Sequence, residues 1–284
     1  MFKRPLQKIV IPLLLLGGLF ACASSLQMAN RFVVEETDIH VLVLPPGSLM
    51  KTHLPEHPDS IAAGEIPEFD EAEIRFVSNV DDSVYISTFM DALERHLERL
   101  AVTVYGLDDM DDFFKLDQPA YIFFIAQMEL MEYRHTERFL ARDGQVNYVR
   151  NEPITVLENN TWFEFLKLHD EDFGMEILFS VQATGDLVDG RFIRRRSGEV
   201  VFDAERYLLT REDVIDLAEF SGEQNAQNIF DHLMNIFVVK QMGWQPNVYY
   251  RYDVESHTIR QTDQPSFIKL ESPEPGAESD EEQE

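Results

Sequence analysis

Two histidines and a glutamate lie close together in the segment His53-Leu54-Pro55-Glu56-His57, which matches the spacing H-x-x-E-H. Two histidines four residues apart can bind zinc from one face of a helix, while the glutamate acts as general base toward a zinc-bound water. This chemistry would make the protein a metal-dependent hydrolase. Pro55 lies inside the motif and Pro58 follows it, and proline disfavours helical backbone at these positions. We therefore expect an irregular surface loop and no metal here.

Four aspartates, Asp108, Asp109, Asp111 and Asp112, offer the oxygen ligands that calcium prefers. Their spacing lacks the glycine and the distal glutamate of an EF-hand loop, so we expect the acidic first turn of a short helix. The single cysteine of the chain excludes an intramolecular disulfide and a zinc site built on cysteine pairs. The sequence also contains no G-x-S-x-G, P-loop or G-x-G-x-x-G motif. We expect no metal, no cofactor, no catalytic residue and no enzymatic activity.

Four arginines, Arg191, Arg194, Arg195 and Arg196, form the one concentration of basic residues downstream of the first 21 residues. On a strand or at the tip of a hairpin, they would contact a partner or an anion such as a phospholipid headgroup. The alternative is that they pair with acidic residues of the same chain.

Five aromatic residues are candidates for a groove that binds a lipid or a glycan: Trp162, Trp244, Tyr249, Tyr250 and Tyr252. The alternative is packing in a core, because aromatic residues in strands more often serve that purpose. His96 and His232 fall within predicted helices next to polar positions, and we expect them at the surface.

The acidic composition excludes one class of function. The chain has 284 residues, of which 52 are acidic and 24 basic, and a formal charge of −28. Nucleic-acid binding requires a cationic surface, which this composition does not provide. A hydrophobic fraction of 44% supports a sizeable core, and the length favours one large domain or at most two.

The first 22 residues have the pattern of an export signal, because basic residues precede an apolar run at residues 9–16. This run is shorter than the roughly 20 apolar residues that span a membrane. The tetrapeptide Leu19-Phe20-Ala21-Cys22 that follows resembles the lipobox of bacterial lipoproteins. The resemblance implies removal of residues 1–21 and lipidation of Cys22 with acyl chains such as palmitate, which anchor a chain durably in a membrane. The alternative is an ordinary secretory leader.

By resemblance to lipoprotein sorting rules, the absence of aspartate after Cys22 implies the outer membrane, with the folded part in the periplasm. Without residues 1–21, the chain has 21 basic and 52 acidic residues and a net charge of −31. Seven of the acidic residues lie between Glu271 and Glu284, in a segment without a basic residue. We expect a largely disordered, solvated tail here; the alternative is an interaction tail for a cationic partner.

We expect the whole chain to divide into four parts. Residues 1–21 are the signal peptide and residues 22–36 a tether. Residues 37–252 are expected to form a single domain with a loop insertion at 45–72, and residues 253–284 form the acidic tail.

Hydrophobic periodicity predicts the elements of the domain. We expect strands at residues 38–44 and 120–133, an amphipathic helix at 82–100, and one or two helices between a capping box at Thr210 and a stop at Gly243. Between residues 154 and 209, strand patterns recur around a Ser197-Gly198 turn. This order predicts an α/β (α+β) fold, with a mixed sheet, amphipathic helices packed against it, and an antiparallel hairpin group.

Two passages resemble the periplasmic α/β domains of CsgG-like and TolB N-terminal-like lipoproteins. One is the strand His40-Val41-Leu42-Val43-Leu44-Pro45-Pro46, and the other runs from Leu187-Val188-Asp189 to Ser197-Gly198-Glu199-Val200-Val201-Phe202. The resemblance covers residues 38–243, and the chain departs from it by the insertion at 45–72. With the lipobox, it implies an outer-membrane-anchored, non-enzymatic accessory or scaffold that binds another envelope protein, in assembly, secretion or cell-wall organisation.

Overall fold

A computed structural model describes residues 25–35, 38–60, 75–143, 145–170 and 173–271. The leader, Cys22, residues 61–74 of the expected insertion, and the tail from residue 272 onward lie outside the described residues. Within the described ranges, the helices are α1 at residues 25–35, α2 at Asp82–Arg99, α3 at Met110–Phe113 and α4 at Arg211–Met242. Short 3-10 turns lie at Pro58–Ser60, Val77–Asn79 and Leu107–Asp109.

Most of the strands of the described chain belong to one mixed sheet. The strands are β1 Ile39–Leu44, β2 Leu49–Leu54, β3 Val102–Tyr105, β4 Ala120–Asp143, β5 Val146–Lys167, β6 Glu176–Gly185, β7 Leu187–Arg194, β8 Val200–Tyr207, β9 Tyr249–Asp253, β10 Thr258–Thr262 and β11 Ile268–Leu270. The sheet has the order β11-β6-β5-β4-β1-β3, and β2 also pairs with β4. Strands β1 and β2 run parallel to β4, whereas the β4, β5, β6 and β11 pairs are antiparallel. Strands β7–β8 and β9–β10 form separate two-stranded sheets. The expected fold class is confirmed.

The two long helices begin and end at residues that the sequence pattern indicates. The Asp81 carboxylate accepts hydrogen bonds from two backbone N–H groups in the first turn of α2. Thr210 and Asp213 form a reciprocal capping box at the start of α4, and Gly243 ends that helix with φ of 69°. None of the helices in the described part of the chain combines the length and apolarity needed to cross a membrane.

Helices α2 and α4 pack side by side on one face of the sheet. Fully buried aromatic rings of the sheet, including Phe123, Phe163 and Phe165, meet the apolar stripes of both helices in one core cluster. The helices approach closely at Gly222, where an added Cβ would lie 2.3 Å from the carbonyl oxygen of Phe89. The expected helix periodicities therefore correspond to the faces that cover the sheet.

The expected tether is part of the folded core. Residues 25–35 form α1, in which Ala29 is fully buried and Phe32 is 4% exposed. The Phe32 ring packs against Phe230 and Phe237 of α4, with centroid distances of 5.4 and 5.5 Å. The expectation that residues 22–36 form a tether outside the domain is wrong for residues 25–35, because their apolar side chains pack against α4.

Two further boundaries differ from the expectation. Strand β2 lies within the expected loop insertion at residues 45–72 and pairs in parallel with β4. The expected tail from residue 253 includes β10, which pairs with β9, and β11, which pairs with β6 at the edge of the main sheet. Phe267, just before β11, is 3% exposed and belongs to the core. The folded part thus extends to residue 270. Pairing with β9 and β6 stabilises these short strands, and their own sequence does not indicate it.

Strands β4 and β5 extend beyond the body as a long hairpin. Pairing with β2 ends at Tyr133 of β4, and pairing with β6 ends at Val156 of β5. The β4–β5 pairing continues to Asp143 and Val146. We call residues 134–155 together with Leu187–Tyr207, the adjacent β7–β8 hairpin, the β-arm.

Substitution of Gly222 by alanine tests the close contact of α2 and α4. Helix propensity alone favours alanine by about 1 kcal/mol, but its Cβ would lie 2.3 Å from a backbone oxygen and 2.9 Å from the Ala92 Cβ. We expect Gly222→Ala to lower the free energy of unfolding by about 1–3 kcal/mol in urea titrations. Gly106→Ala is the matched control, because no atom lies within 4 Å of its added Cβ. Unchanged stability of Gly222→Ala would contradict this packing.

Candidate functional site

The four predicted arginines lie at the end of the β-arm. Arg191 and Arg194 are on β7, Arg195 and Arg196 are in the turn that leads to β8, and all four are exposed. The Arg194 guanidinium pairs with the carboxylate of Asp143, the last residue of β4. The structure therefore brings the arginine-bearing turn beside the tip of the β4–β5 hairpin.

Intramolecular pairing accounts for one of these arginines. Besides its ion pair, Arg194 donates to the carbonyl oxygen of Gly198 at 3.2 Å, which links the two ends of the turn. The side chains of Arg191, Arg195 and Arg196 make no hydrogen bond or ion pair with the residues that the structure describes. Contact of these three with an anionic partner stays a prediction, and their geometry leaves their guanidinium groups available for it.

Aliphatic side chains accompany the arginines on the outer face of the β4–β5 hairpin. Leu140 lies directly opposite Val149, and these two residues are 65% and 49% exposed. Arg138 and Arg142 lie two residues to either side of Leu140 on the same face, because side chains alternate along a strand. We call Arg138, Leu140, Arg142 and Val149 the arm patch. Exposed aliphatic residues between arginines are typical of contact surfaces.

The β-arm differs in charge from the rest of the molecule. It carries nine of the 24 basic residues of the chain, all of them arginine, and seven of the 52 acidic residues. The β-arm therefore has a small excess of positive charge in a chain whose formal charge is −28. An anionic partner meets less electrostatic repulsion here than elsewhere on the surface.

Aromatic packing joins the two hairpins of the β-arm. The Phe139 ring lies 5.0 Å from Phe202, and the Tyr148 ring lies 5.8 Å from Phe192. Gly190 of β7 permits this arrangement, because an added Cβ would lie 2.2 Å from the Phe202 ring. The hairpins thus pack face to face without a shared backbone ladder.

A buried carboxylate reinforces the same contact. Glu152 of β5 is 3% exposed and lies between two arginines, one from each hairpin. Its oxygens accept from Arg206 Nη2 at 2.6 Å and from Arg150 Nε at 2.5 Å. The hydrogen bond from Arg206, and to a smaller extent that from Arg150, holds the pKa of Glu152 below its usual range. The charged form therefore ties β8 to β5.

Two more buried carboxylates lie where the β-arm leaves the body. Glu132 of β4, which is 1% exposed, accepts from the backbone N–H groups of Arg75, Phe76 and Val77 at 2.8 to 3.1 Å. A carboxylate that accepts three backbone hydrogen bonds is well satisfied despite its burial. Glu132 therefore fixes the 3-10 turn that precedes α2 against the base of the β-arm.

Asp186 performs the same task on the other side of the base. It joins β6 to β7, is 6% exposed, and accepts from the Thr155 N–H at 2.9 Å and the Leu209 N–H at 2.7 Å. The Arg75 guanidinium lies 3.4 Å from the same carboxylate and donates to the Thr155 hydroxyl at 3.1 Å. The links that enter and leave the β7–β8 hairpin are thereby held at one point.

The segment with the H-x-x-E-H spacing does not form a helix. His53 and Leu54 end β2, and a bend follows at residues 55–56. The His57 ring packs edge-on against Tyr133, with centroids 5.0 Å apart. The two histidines thus do not share a helical face, which is the geometry that the zinc chemistry requires.

The aspartate group adopts the expected acidic helix start. Asp108 and Asp109 lie in a 3-10 turn, Asp111 and Asp112 lie in α3, and Lys115 pairs with Asp112 at 2.8 Å. Across the described ranges, no group of three or more histidine, cysteine, aspartate or glutamate side chains is placed to hold a metal ion.

The five aromatic candidates do not come together in one groove. Trp162 lies on the sheet face opposite α4, with its ring 4.9 Å from Phe179. Tyr250 is fully buried and donates its hydroxyl hydrogen to Ser25 Oγ at 2.7 Å. Tyr252 alone of the five lines the cavity described below, and Trp244 is 46% exposed in the link between α4 and β9.

A polar groove that the sequence does not indicate lies between the end of α2, the middle of α4 and the β9–β10 hairpin. Its volume is about 600 Å³, and its lining includes His96, Arg99, Gln227, Asp231, Arg251 and Tyr252. Guanidinium, carboxylate and amide groups dominate this lining and suit a polar ligand. His96 and His232, which we expected at the surface, are half-buried: His96 lines this groove and His232 packs against the Phe165 ring.

Side chains of α4 hydrogen-bond to backbone groups of β9 that are not used in its pairing with β10. Asn235 accepts from the Tyr250 N–H at 2.9 Å and donates to its carbonyl at 2.8 Å. Asp231 Oδ1 accepts from the Tyr252 N–H at 2.9 Å, and Gln227 donates to the Tyr252 carbonyl at 2.8 Å. These three residues are spaced four apart, which places them on one face of α4. Gln227, Asp231 and Tyr252, which take part in this ladder, also line the groove.

Asp231 is the most perturbed acid of the groove. It is 1% exposed, and its Oδ2 atom has no hydrogen-bond partner in the described part of the chain. Burial raises the pKa of Asp231 to about 7, against the opposing effect of the hydrogen bonds from Tyr252 and Gln227. A carboxyl group with this pKa changes its charge near neutral pH.

Comparisons with known proteins do not assign the chain to a family. No protein-family model matches it, and no curated protein matches its sequence. Among solved structures, a protein described as a neuraminyllactose-binding hemagglutinin homolog from Helicobacter pylori aligns with a TM-score of 0.30 and 10% identity. The alignment covers 74% of this chain and 91% of that chain. Similarity at this level supports no conclusion on fold family or ligand.

Replacement of Asp231 by asparagine tests the buried carboxyl group. The folded-state pKa of about 7 exceeds the ordinary value of 3.8, so the folded protein holds more protons between these values and its stability falls as the pH rises through them. Asparagine keeps the acceptor for the Tyr252 N–H without the charge. The quantity to compare is the free energy of unfolding of Asp231→Asn minus that of the wild type, measured by urea titration. We expect this difference to be about 2–3 kcal/mol larger at pH 8 than at pH 5.

The control for this measurement is Asp216→Asn, which changes an exposed aspartate on the same helix. Its stability difference from the wild type should be the same at both pH values. Parallel pH profiles for Asp231→Asn and the wild type would show that the carboxyl group is not titrating in this range.

Proposed function

We propose that the protein is a lipid-anchored envelope protein that binds another envelope protein through the β-arm and has no catalytic role. The observation that carries this proposal is the β-arm itself, in which exposed arginines and aliphatic residues extend from an acidic body. Anchoring in the outer membrane through lipidated Cys22, with the folded part in the periplasm, completes the proposal and is supported by the lipobox-like sequence. The protein acts as an accessory or scaffold.

The chemistry of the β-arm defines the partner surface. Arginine binds carboxylates in a bidentate manner and is enriched in protein contacts, whereas Leu140 and Val149 gain from losing their contact with water. The partner therefore presents carboxylates around an apolar depression that receives Leu140 and Val149. Electrostatic attraction to the β-arm would speed the encounter, and the apolar contact would prolong the complex.

Anchoring is tested on Cys22. We expect the wild-type chain to incorporate labelled palmitate and to fractionate with the outer membrane, because the cysteine of a lipobox receives the acyl chains. Cys22→Ser should incorporate none, while Ser24→Ala, the matched control, should be acylated like the wild type. Equal labelling of the Cys22→Ser variant, or none in the wild type, would contradict the anchor.

Partner binding is tested by photocrosslinking in intact cells. A photoreactive amino acid at Leu140, which is 65% exposed in the arm patch, should yield an adduct of one defined mass. The same group at Leu107, which is 58% exposed and outside the β-arm, is the control and should not yield that adduct. Identical adducts at both positions, or none at Leu140, would refute a specific contact of the β-arm.

The crosslinked partner then permits a quantitative measurement. Arg195→Glu/Arg196→Glu should weaken its binding at least tenfold, about 1.4 kcal/mol, because both charges of the turn are reversed. The matched control is Arg211→Glu/Lys240→Glu, which reverses two exposed basic residues of α4. An equal loss in both variants would indicate a general effect of net charge and not a contact of the β-arm.

A further inference from the structure

We infer that the end of the molecule formed by residues 25–28 of α1 and by β9 lies against the lipid bilayer, and that the β-arm projects away from it. This inference rests on the proposed lipidation of Cys22 and deepens the proposed function, because it states where the partner is met.

The chain between the acylated residue and the folded core is very short. Cys22 and Ser25 are three residues apart, so their Cα atoms are separated by at most about 11 Å. Ser25 is 3% exposed and accepts a hydrogen bond from the buried Tyr250 hydroxyl at 2.7 Å. The acyl chains enter the bilayer at Cys22, so Ser25 and the nearby β9 are held close to the headgroups.

Packing keeps α1 from acting as an extendable spacer. Ala29 is fully buried and Phe32 is 4% exposed, and the Phe32 ring contacts two rings of α4. Exposure of one such aromatic side chain to water costs about 1.5–3 kcal/mol. Unwinding of α1 to lengthen the tether would therefore oppose the stability of the core.

A series of contacts places Ser25 at the end of the sheet opposite the β-arm. Helix α4 begins at Arg211, two residues after Leu209, whose N–H donates to Asp186 at the base of the β-arm. Farther along α4, the His232 ring contacts Phe165, which pairs with Phe123 near the start of β4. Asn235, about one turn beyond His232, hydrogen-bonds to the backbone of Tyr250. The Tyr250 hydroxyl in turn donates to Ser25 Oγ.

The dimensions of β4 set the reach of the β-arm. From the Phe123–Phe165 pair to the Asp143–Val146 pair, β4 advances by 20 residues. At about 3.3 Å per residue, this distance is roughly 65 Å along the strand. The arginine-bearing turn, which lies beside Asp143, is at the far end of this length.

Charge favours the upright orientation over one in which the body lies flat. Outside the β-arm, acidic residues greatly outnumber basic ones, so a flat body would bring negative charge against anionic headgroups. Trp244, 46% exposed in the segment that leads to β9, suits the interfacial region, where tryptophan is enriched. In the upright orientation, the four arginines are beyond the reach of headgroups in the anchoring bilayer, and their partner lies deeper in the periplasm.

The orientation is measured by fluorescence on lipidated protein in vesicles of phosphatidylethanolamine and phosphatidylglycerol that carry a headgroup-attached quencher. An unnatural amino acid at Gln27, which is exposed on α1, or at Ser197, in the turn of the β-arm, receives the dye. We expect quenching at Gln27 to exceed that at Ser197 at least about tenfold, because the two positions differ in distance from the bilayer by several tens of ångströms.

A ten-residue Gly-Ser insertion between Ser24 and Ser25 is the control, and it should strongly reduce quenching at Gln27 because the body then moves away from the headgroups. Equal quenching at both positions would overturn the upright orientation, and no quenching at either would overturn contact with the bilayer. Mass spectrometry of Cys22 reports lipidation separately. If it is absent, coupling of the Cys22 thiol to a maleimide lipid still tests the geometry, whereas the proposed anchoring has failed.

Discussion

The antiparallel pairing of β4 with β5, unbroken except for one bulge between Ile125 and Gln127, is the constraint on which the rest of the structure depends. The half near Phe123 and Phe165 forms the centre of the sheet, where α2 and α4 cover it. The other half extends beyond the ends of the β2 and β6 pairings and continues as the β-arm. One pair of strands therefore supplies both the core and the extension, and displacement of either half would disturb the other.

Buried charged groups make this division of the hairpin possible. Isolated two-stranded hairpins are marginally stable in water, so the β-arm requires support at its base and along its length. Glu132 and Asp186 support the base of the β-arm by accepting hydrogen bonds from backbone groups of several segments. Glu152 supports the β-arm along its length through ion pairs with two arginines. Each carboxylate is buried but well satisfied, which offsets the cost of removing its charge from water.

The two ends of the molecule have different chemistry. At one end, α1, α4 and β9 are tied together by aromatic packing and by the side-chain ladder of Gln227, Asp231 and Asn235. At the other end, exposed arginines and aliphatic residues lie on a narrow extension. A lipid at Cys22 and a partner at the β-arm would thus act at opposite ends, which suits a protein that holds its partner at a distance from a membrane.

The sequence by itself determined the features that depend on neighbouring residues. The apolar stripe and the caps of α2 and α4, the strand character of β1 and the first half of β4, and the mixed α/β class follow from local periodicity and capping chemistry. The lipobox-like sequence around Cys22 is equally local, and the lipidation that it predicts does not depend on a fold.

Only the tertiary structure decided which segments pair over long distances. Alternation of side chains past Tyr133 is compatible with a loop, an edge strand or a projecting hairpin, and the choice depends on where β2 and β6 stop. Short segments such as α1 and β11 gain their stability from contacts with distant residues, so their own composition does not reveal them. The groove at Asp231 combines residues from three separate parts of the chain, and the pKa of Asp231 is set by burial, which no local pattern encodes.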